Sequence, residues 1–291
     1  VFVNTGEELI EICKKENISI AEYTIREEIK ETGLSREEII EKMAKNLEVM
    51  KESASRGLKN KVVSVSGLIG GDAKRLYDYL EKGNTLCDKF ILKAMARALS
   101  SSEVNAAMGR IVAAPTAGSC GIMPAVIISA AEKLEKTDKE MIEALFTASG
   151  VGIIIAKNAT VSGAEGGCQA EVGSASAMAS AAVVEMMGGT PEQALNAGAI
   201  IIKNILGLVC DPIAGLVEAP CAKRNASGTV AALTTADLVM SGVKSIIPFD
   251  DTVLAMYRVG KSMPCELRET ALGGLASTPT GIKLRKQVLG E

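Results

Sequence analysis

The chain has 291 residues and a formal net charge of −3, enough length to bury a sizeable core and no basic face for nucleic acid or anionic membrane. It contains no histidine, which excludes a Ser-His-Asp triad, a Cys-His pair and any His-ligated zinc or haem supplied by this chain. Aromatic residues make up 3% with no Trp, so base-stacking platforms are not expected, and seven cysteines, an odd number, do not read as a disulfide framework. That cysteine usage suits a reducing cytoplasm. The opening residues are acidic and amphipathic rather than a targeting peptide, and the longest apolar stretch, 145–156, is too short and Gly-broken to span a bilayer.

Helix start signals recur along the chain. Thr5 with Glu8, Ser19 with Glu22, Ser35 with Glu38 and Thr137 with Glu140 each match a capping box, in which hydroxyl and carboxylate satisfy reciprocal backbone donors. Thr190-Pro191-Glu192-Gln193 adds Pro at the first helical position, where its missing N–H costs nothing. Apolar residues follow at helical spacing, as in Ile39, Met43, Leu47 and Met50. Alternating β-branched residues are few, and 62–66 is the clearest run. The fold expected is mostly α: a compact helical bundle with Gly-rich loops converging on a site. One domain over 1–291 is expected, with 1–60 a charged helical segment. From about 104 to 240 the texture changes to Gly, Ala and Ser with few charges, and 174–187 reads as a helix that neighbours approach closely on most sides.

Polar, Gly-punctuated loops interrupt that apolar centre, and loops of this kind carry function more often than core helices do. The first, VVSVSGLIGGD (62–72), places Ser64, Ser66, Gly67, Gly70 and Gly71 ahead of a helix opening at Asp72. Backbone donors there suit a carboxylate or phosphate, without the Gly-Lys-Ser ending of a nucleotide loop. A plain turn explains it equally well. The second, APTAGSCGIMP (114–124), carries Thr116, Gly118, Ser119 and Cys120. Cys120 is more simply a small core residue than a ligand. The third, KNATVSGAEGGCQAE (157–171), holds Lys157, Asn158, Ser162, Glu165, Cys168 and Glu171. The fourth, VCDPIAGLVEAPCAKRN (209–225), holds Cys210 and Cys221.

Cys168-x41-Cys210-x10-Cys221 fits no ferredoxin or zinc-ribbon spacing, and on spacing alone three structural thiols explain it as well as a metal does. All three, however, sit beside Gly, Pro and charge at loop–helix junctions. Thiolates without histidine favour an iron–sulfur cluster or zinc, and three of them would leave one iron open to a substrate oxygen.

These loops resemble the α chain of the bacterial iron–sulfur L-serine dehydratases. The resemblance rests on SGLIGGDAKR (66–75), APTAGSCGIMPAV (114–126), KNATVSGAEGGCQAEVGSASAMA (157–179), GLVCDPIAGLVEAPCAKRNASG (207–228) and RETALGGLASTPTG (268–281), and covers most of the chain from about residue 50. It implies an α-helical catalytic domain and a [4Fe–4S] cluster held by Cys168, Cys210 and Cys221. It further implies L-serine as substrate, pyruvate and ammonia as products, and a separate β subunit as partner. Ser64, Ser66, Gly67, Thr116, Gly118 and Ser119 are then expected to hold the substrate's carboxylate and ammonium, with Asn158, Ser162 and Glu165 orienting it.

The general base is sought among Lys61, Asp72, Lys157 and Glu165 or on the partner, with Lys61 nominated. Single-chain relatives carry a cysteine near their C-terminus that this chain lacks, Cys265 being its last. A pyridoxal-phosphate enzyme, a cysteine desulfidase and a non-catalytic helical scaffold are the competing readings.

Overall fold

The computed structural model describes residues 2–290. Among these, thirteen α-helices form and no strand does. The first three are α1 (Gly6–Glu16), α2 (Ile20–Thr32) and α3 (Arg36–Lys59). Then come α4 (Asp72–Glu81), α5 (Lys89–Ala106), α6 (Ile122–Lys133), α7 (Asp138–Asn158) and the single turn α8 (Gly163–Gly166). The remainder are α9 (Ser174–Met186), α10 (Pro191–Ile205), α11 (Cys221–Met240), α12 (Phe249–Ser262) and α13 (Pro279–Leu289). No helix among the described residues is long and apolar enough to cross a membrane.

The capping signals act where they were read. Thr5, Ser35, Thr137 and Thr190 each close a full capping box. Ser19 closes only half of one. Its hydroxyl accepts from Glu22 N–H, but the Glu22 carboxylate turns away to Arg26 at 2.7 Å and Arg36 at 2.6 Å. The vacated place is taken from outside, because the Glu185 carboxylate at the end of α9 accepts from Ile20 N–H at 2.7 Å and Ala21 N–H at 3.2 Å.

Helix α9 is the axis of the core. Its residues from Ser174 through Val184 are buried, and α6, α7, α10 and α11 pack around it. Small side chains permit this. A Cβ on Gly228 of α11 would stand 2.6 Å from Ser176 Oγ, and one on Gly121, just before α6, would collide with the Ala98 carbonyl. Ser180 crosses the same gap with a 2.9 Å bond to Ala232 O. The outer helices are conventional by contrast: α2 lies on α7 and α3 on α5, burying Ile39, Leu47 and Met50 and exposing their charges.

The alternation at 62–66 does not produce a strand. It ends in one isolated antiparallel bridge between Val63 and Gly70. Gly67, Gly70 and Gly71, all at positive φ, turn the chain back before a ladder can grow. A second isolated bridge joins Cys210 to Arg268.

Candidate functional site: a buried thiol–carboxylate centre

Three of the four loops named above meet around α9, and the element that seats them is invisible to helix periodicity. Between Cys168 and α9 the backbone makes a π-helical turn, Gln169–Gly173. Such turns are rare and re-aim side chains. Gln169, fully buried, locks this one: its amide donates to Met256 O at 2.9 Å and accepts from Gly207 N–H at 3.0 Å. Its own N–H donates to Leu208 O. The turn thus ties Cys168 to the chain leading into Cys210.

Glu171, on that turn, is the hub. Its Oε1 accepts a 2.6 Å bond from Thr116, and the Cys210 thiol lies 3.9 Å from its Oε2. A Cβ on Gly118 or on Gly163 would come within 2.7 Å of a Glu171 oxygen, so only glycine leaves it room. Burial raises the carboxyl above its ordinary range, Glu269 adds to the rise, and the bonds from Thr116 and Cys210 offset it only in part. Glu171, Cys210 and Glu269 bring one donor atom each within 4.8 Å of one another, the one such set among the described residues.

Cys168, Cys210 and Cys221 are free and buried. Cys168 precedes the π turn, Cys221 opens α11, and Cys210 is held in extended chain by bonds to Leu267 O at 2.9 Å and from Glu269 N–H at 2.8 Å. Burial pushes the Cys168 thiol up to about 11, with Arg224 opposing the rise, and the Cys221 thiol up to about 12. Cys210 is raised too, by burial and then by the charges of Cys168, Glu171, Glu269 and Cys221.

The first turn of α11 completes the centre. Asn225 is buried and bridges to the Thr116 loop, accepting from Gly121 N–H at 2.9 Å and donating to Gly118 O at 2.8 Å. Arg224 donates to Val209 O at 2.9 Å and pairs with Asp211 at 2.9 Å. Sequence reasoning singled out neither residue. The available signal was their spacing, since i, i+3 and i+4 from Cys221 share one helix face.

The other expected residues fall as follows. Thr116 and Gly118 touch Glu171, and Ser119, fully buried, lies 3.3 Å from Thr116 Oγ1. Ser64 and Ser66 turn largely inward: Ser64 accepts from Ile69 N–H, and Ser66 donates to Glu218 at 2.6 Å, joining this loop to the one before Cys221. Gly67 is exposed at the loop tip. The anion expected at the α4 N-terminus is the chain's own, because buried Glu103 accepts from Asp72 N–H at 2.5 Å. Asp72 itself is ion-paired to Arg75 and Lys223.

Lys61 is exposed and lines a pocket of about 270 Å³ with Gly70, Asp72, Arg75 and Lys223. Ser162 leads into α8, and Glu165 is exposed on it. Lys157 and Asn158 end α7. They hold the N-terminal segment, Asn158 donating to Asn4 O at 2.6 Å and Lys157 to Phe2 O at 2.6 Å.

Fold and site together define an all-helical protein with a buried, histidine-free centre of thiols, carboxylates and one guanidinium. The family profile described as serine dehydratase alpha chain matches residues 15–276, and the chain belongs to that family. "Probable L-serine dehydratase, alpha chain" of Bacillus subtilis is 52% identical over 283 residues, spanning 97% of this chain and 94% of the relative. "L-serine dehydratase, alpha chain" of Peptoniphilus asaccharolyticus is 52% identical over 290 residues, 100% and 99% of the two chains. "L-serine dehydratase" of Streptomyces coelicolor is 36% identical over 279 residues, which is 94% of this chain and 60% of that protein.

Proposed function

We propose that this chain is the catalytic α chain of an L-serine dehydratase, one domain that converts L-serine to pyruvate and ammonia together with a β chain. Cys168, Cys210 and Cys221 would hold a [4Fe–4S] cluster. The observation that carries this reading is that three buried, unbridged thiols, far apart in sequence, lie on segments bonded to one another: Gln169, beside Cys168, donates its N–H to Leu208 O, and Arg224, one turn beyond Cys221, donates to Val209 O beside Cys210. The donor set fits: thiolates are the ligands such clusters take, and no imidazole competes. Bound there, the cluster supplies a Lewis-acidic iron for the β-hydroxyl of serine.

The chain's own residues do the rest. Thr116 and the Gly118–Ser119 turn orient the substrate's polar groups, with Glu171 setting Thr116 in place. Ser64, Ser66 and Gly67 would help hold the substrate's carboxylate and ammonium, and Asn158, Ser162 and Glu165 would help orient it. Lys61 is our candidate to accept the α-proton; its pocket also holds Lys223, two residues along α11 from Cys221. Loss of that proton and of the β-hydroxyl leaves aminoacrylate, which hydrolyses to pyruvate and ammonia.

The test is anaerobic iron and sulfide analysis with a serine-to-pyruvate assay, with and without the β chain. Iron, sulfide and serine-dependent pyruvate are expected together; a folded chain that takes up neither iron nor sulfide sinks the proposal. Sulfide released from cysteine in place of pyruvate from serine would assign a desulfidase. Lys61→Met is expected to lower kcat with KM held, and an unchanged kcat removes Lys61 from the role of base.

A further inference from the structure

The first turn of α11 breaks a local rule. A helix N-terminus carries partial positive charge and favours acidic side chains, yet this one opens Cys221-Ala222-Lys223-Arg224 with no acidic residue in its first turn. Lys223 turns outward to Asp72. Arg224 turns inward, its side chain only 17% exposed. A cation there works against the helix dipole, so its placement answers to something other than helix stability.

Its contacts show what that is. The guanidinium donates to the carbonyl of Val209 and pairs with the carboxylate of Asp211, each at 2.9 Å, so it grips the backbone and side chain on both sides of Cys210. Cys168 joins the same segment, since the N–H of Gln169, the next residue, donates at 2.9 Å to Leu208 O, one residue before the carbonyl that Arg224 holds. Arg224 stands one helical turn beyond Cys221. Asp211 is itself pinned: it accepts from Leu275 N–H at 2.7 Å, and Gly274 at positive φ packs against it. Its other oxygen, Oδ1, is buried without a hydrogen bond of good geometry, facing Arg224 alone.

We propose that Arg224, braced by Asp211, is the positioning residue that gathers Cys168, Cys210 and Cys221 into one site and balances the negative charge those thiolates bring into a buried place. The inference rests on the cluster reading above. A buried anion needs a paired cation, and a planar guanidinium meets a carboxylate and a carbonyl at once where an ammonium meets them only as a point charge. Arg224 is assigned a positioning role and no contact with a reacting atom. It acts through the thiols.

The experiment uses the full-length chain, loaded anaerobically with iron and sulfide. Three quantities are read: iron and sulfide per chain, the rate of iron loss to a ferrous chelator, and the cluster's midpoint potential. Arg224→Gln is expected to lose iron on the order of 10–100-fold faster and to shift the potential downward, because a cation no longer favours the reduced, more negative cluster. Arg224→Lys keeps the charge without the grip: it should hold the potential near wild type while still shedding iron faster. Asp211→Asn removes a negative charge along with the brace, so it should shed iron faster and shift the potential upward, and Lys45→Gln, an exposed ion-pair partner of Glu41 on α3, should change neither.

Circular dichroism of the iron-free variants separates these effects from misfolding; should Arg224→Gln not fold, Arg224→Lys and Asp211→Asn still decide the matter. If the folded variants retain iron and titrate as wild type does, the inference fails and the cluster reading stands. A wild-type chain that takes up no cluster overturns both.

Discussion

The outer helices and the centre of this molecule are built by different rules. In α1, α3 and α7 the boundaries come from within: a hydroxyl at the N-cap, a carboxylate three residues on, and charged side chains facing water. Around α9 the boundaries come from elsewhere in the chain. Glu103 of α5 caps α4, Asn225 of α11 holds the Thr116 loop, and Gln169 is locked by Met256 and Gly207. A helix that carries its own caps tolerates change in its neighbours. A centre whose loops are held by side chains from other segments does not.

The largest expected effect tests whether the centre is a site or only a core. Cys168→Ser, Cys210→Ser and Cys221→Ser should each abolish retention of iron and pyruvate formation, while Cys13→Ser, equally buried but on α1, should leave both. Equal behaviour of all four thiols would erase the distinction between the two regions.

Next comes Gly163→Ala. Its Cβ would stand 2.7 Å from Glu171 Oε2 and 3.0 Å from Cys210 Sγ. Displacing those groups should lower kcat about 100-fold with the helix content intact. Wild-type turnover in this variant would mean that Glu171 does not need its place.

Asn225→Ala probes the clamp itself. It leaves Gly121 N–H and Gly118 C=O unpaired in the interior, at a cost of about 1–3 kcal/mol, read as a lower denaturant midpoint with an unchanged m-value.

The smallest effect belongs to the outer helices. Thr137→Ala should cost about 1 kcal/mol with turnover unchanged. The same cap also carries a pH signature. The Thr137 backbone N–H, then Lys136 and the Thr137 hydroxyl, hold the Glu140 carboxyl down at about 2. A depressed carboxyl contributes its stability above its ordinary value of 4.5 and loses it as the pH falls towards 2. The acid limb of stability should therefore persist in Thr137→Ala, which keeps the backbone donor, and weaken in Glu140→Gln. An identical limb in both would assign it to other groups.

Much of the outer architecture was legible because its signals are local. Four capping boxes, the Pro at the start of α10 and the spacing of Ile39, Leu47 and Met50 need only a few neighbouring residues to be read. The half-box at Ser19 was not legible, since Arg36 and Glu185 compete for its parts from outside the α2 sequence. The loops were visible as Gly- and Pro-punctuated breaks in an apolar centre, but their partners were not. Ser64 and Ser66 read as donors for a ligand and Asp72 as a candidate base, and in the fold much of their bonding goes to Ile69, Glu218, Arg75 and Lys223. Asn158 and Lys157 stand in the motif that carries Cys168, and their bonds to the N-terminal segment were not legible there.

The mostly helical fold, the caps of α1, α3, α7 and α10 and the absence of imidazole chemistry were settled by residue order alone, because each depends on interactions spanning no more than a turn, or on composition. The motifs were enough to point to the family. Only folding decided that Glu171 would become the hub, that Arg224 would grip both sides of Cys210, and that a π turn would aim Cys168. Those outcomes depend on contacts between segments tens of residues apart, and the free energy of such a contact is set by packing that no local window contains.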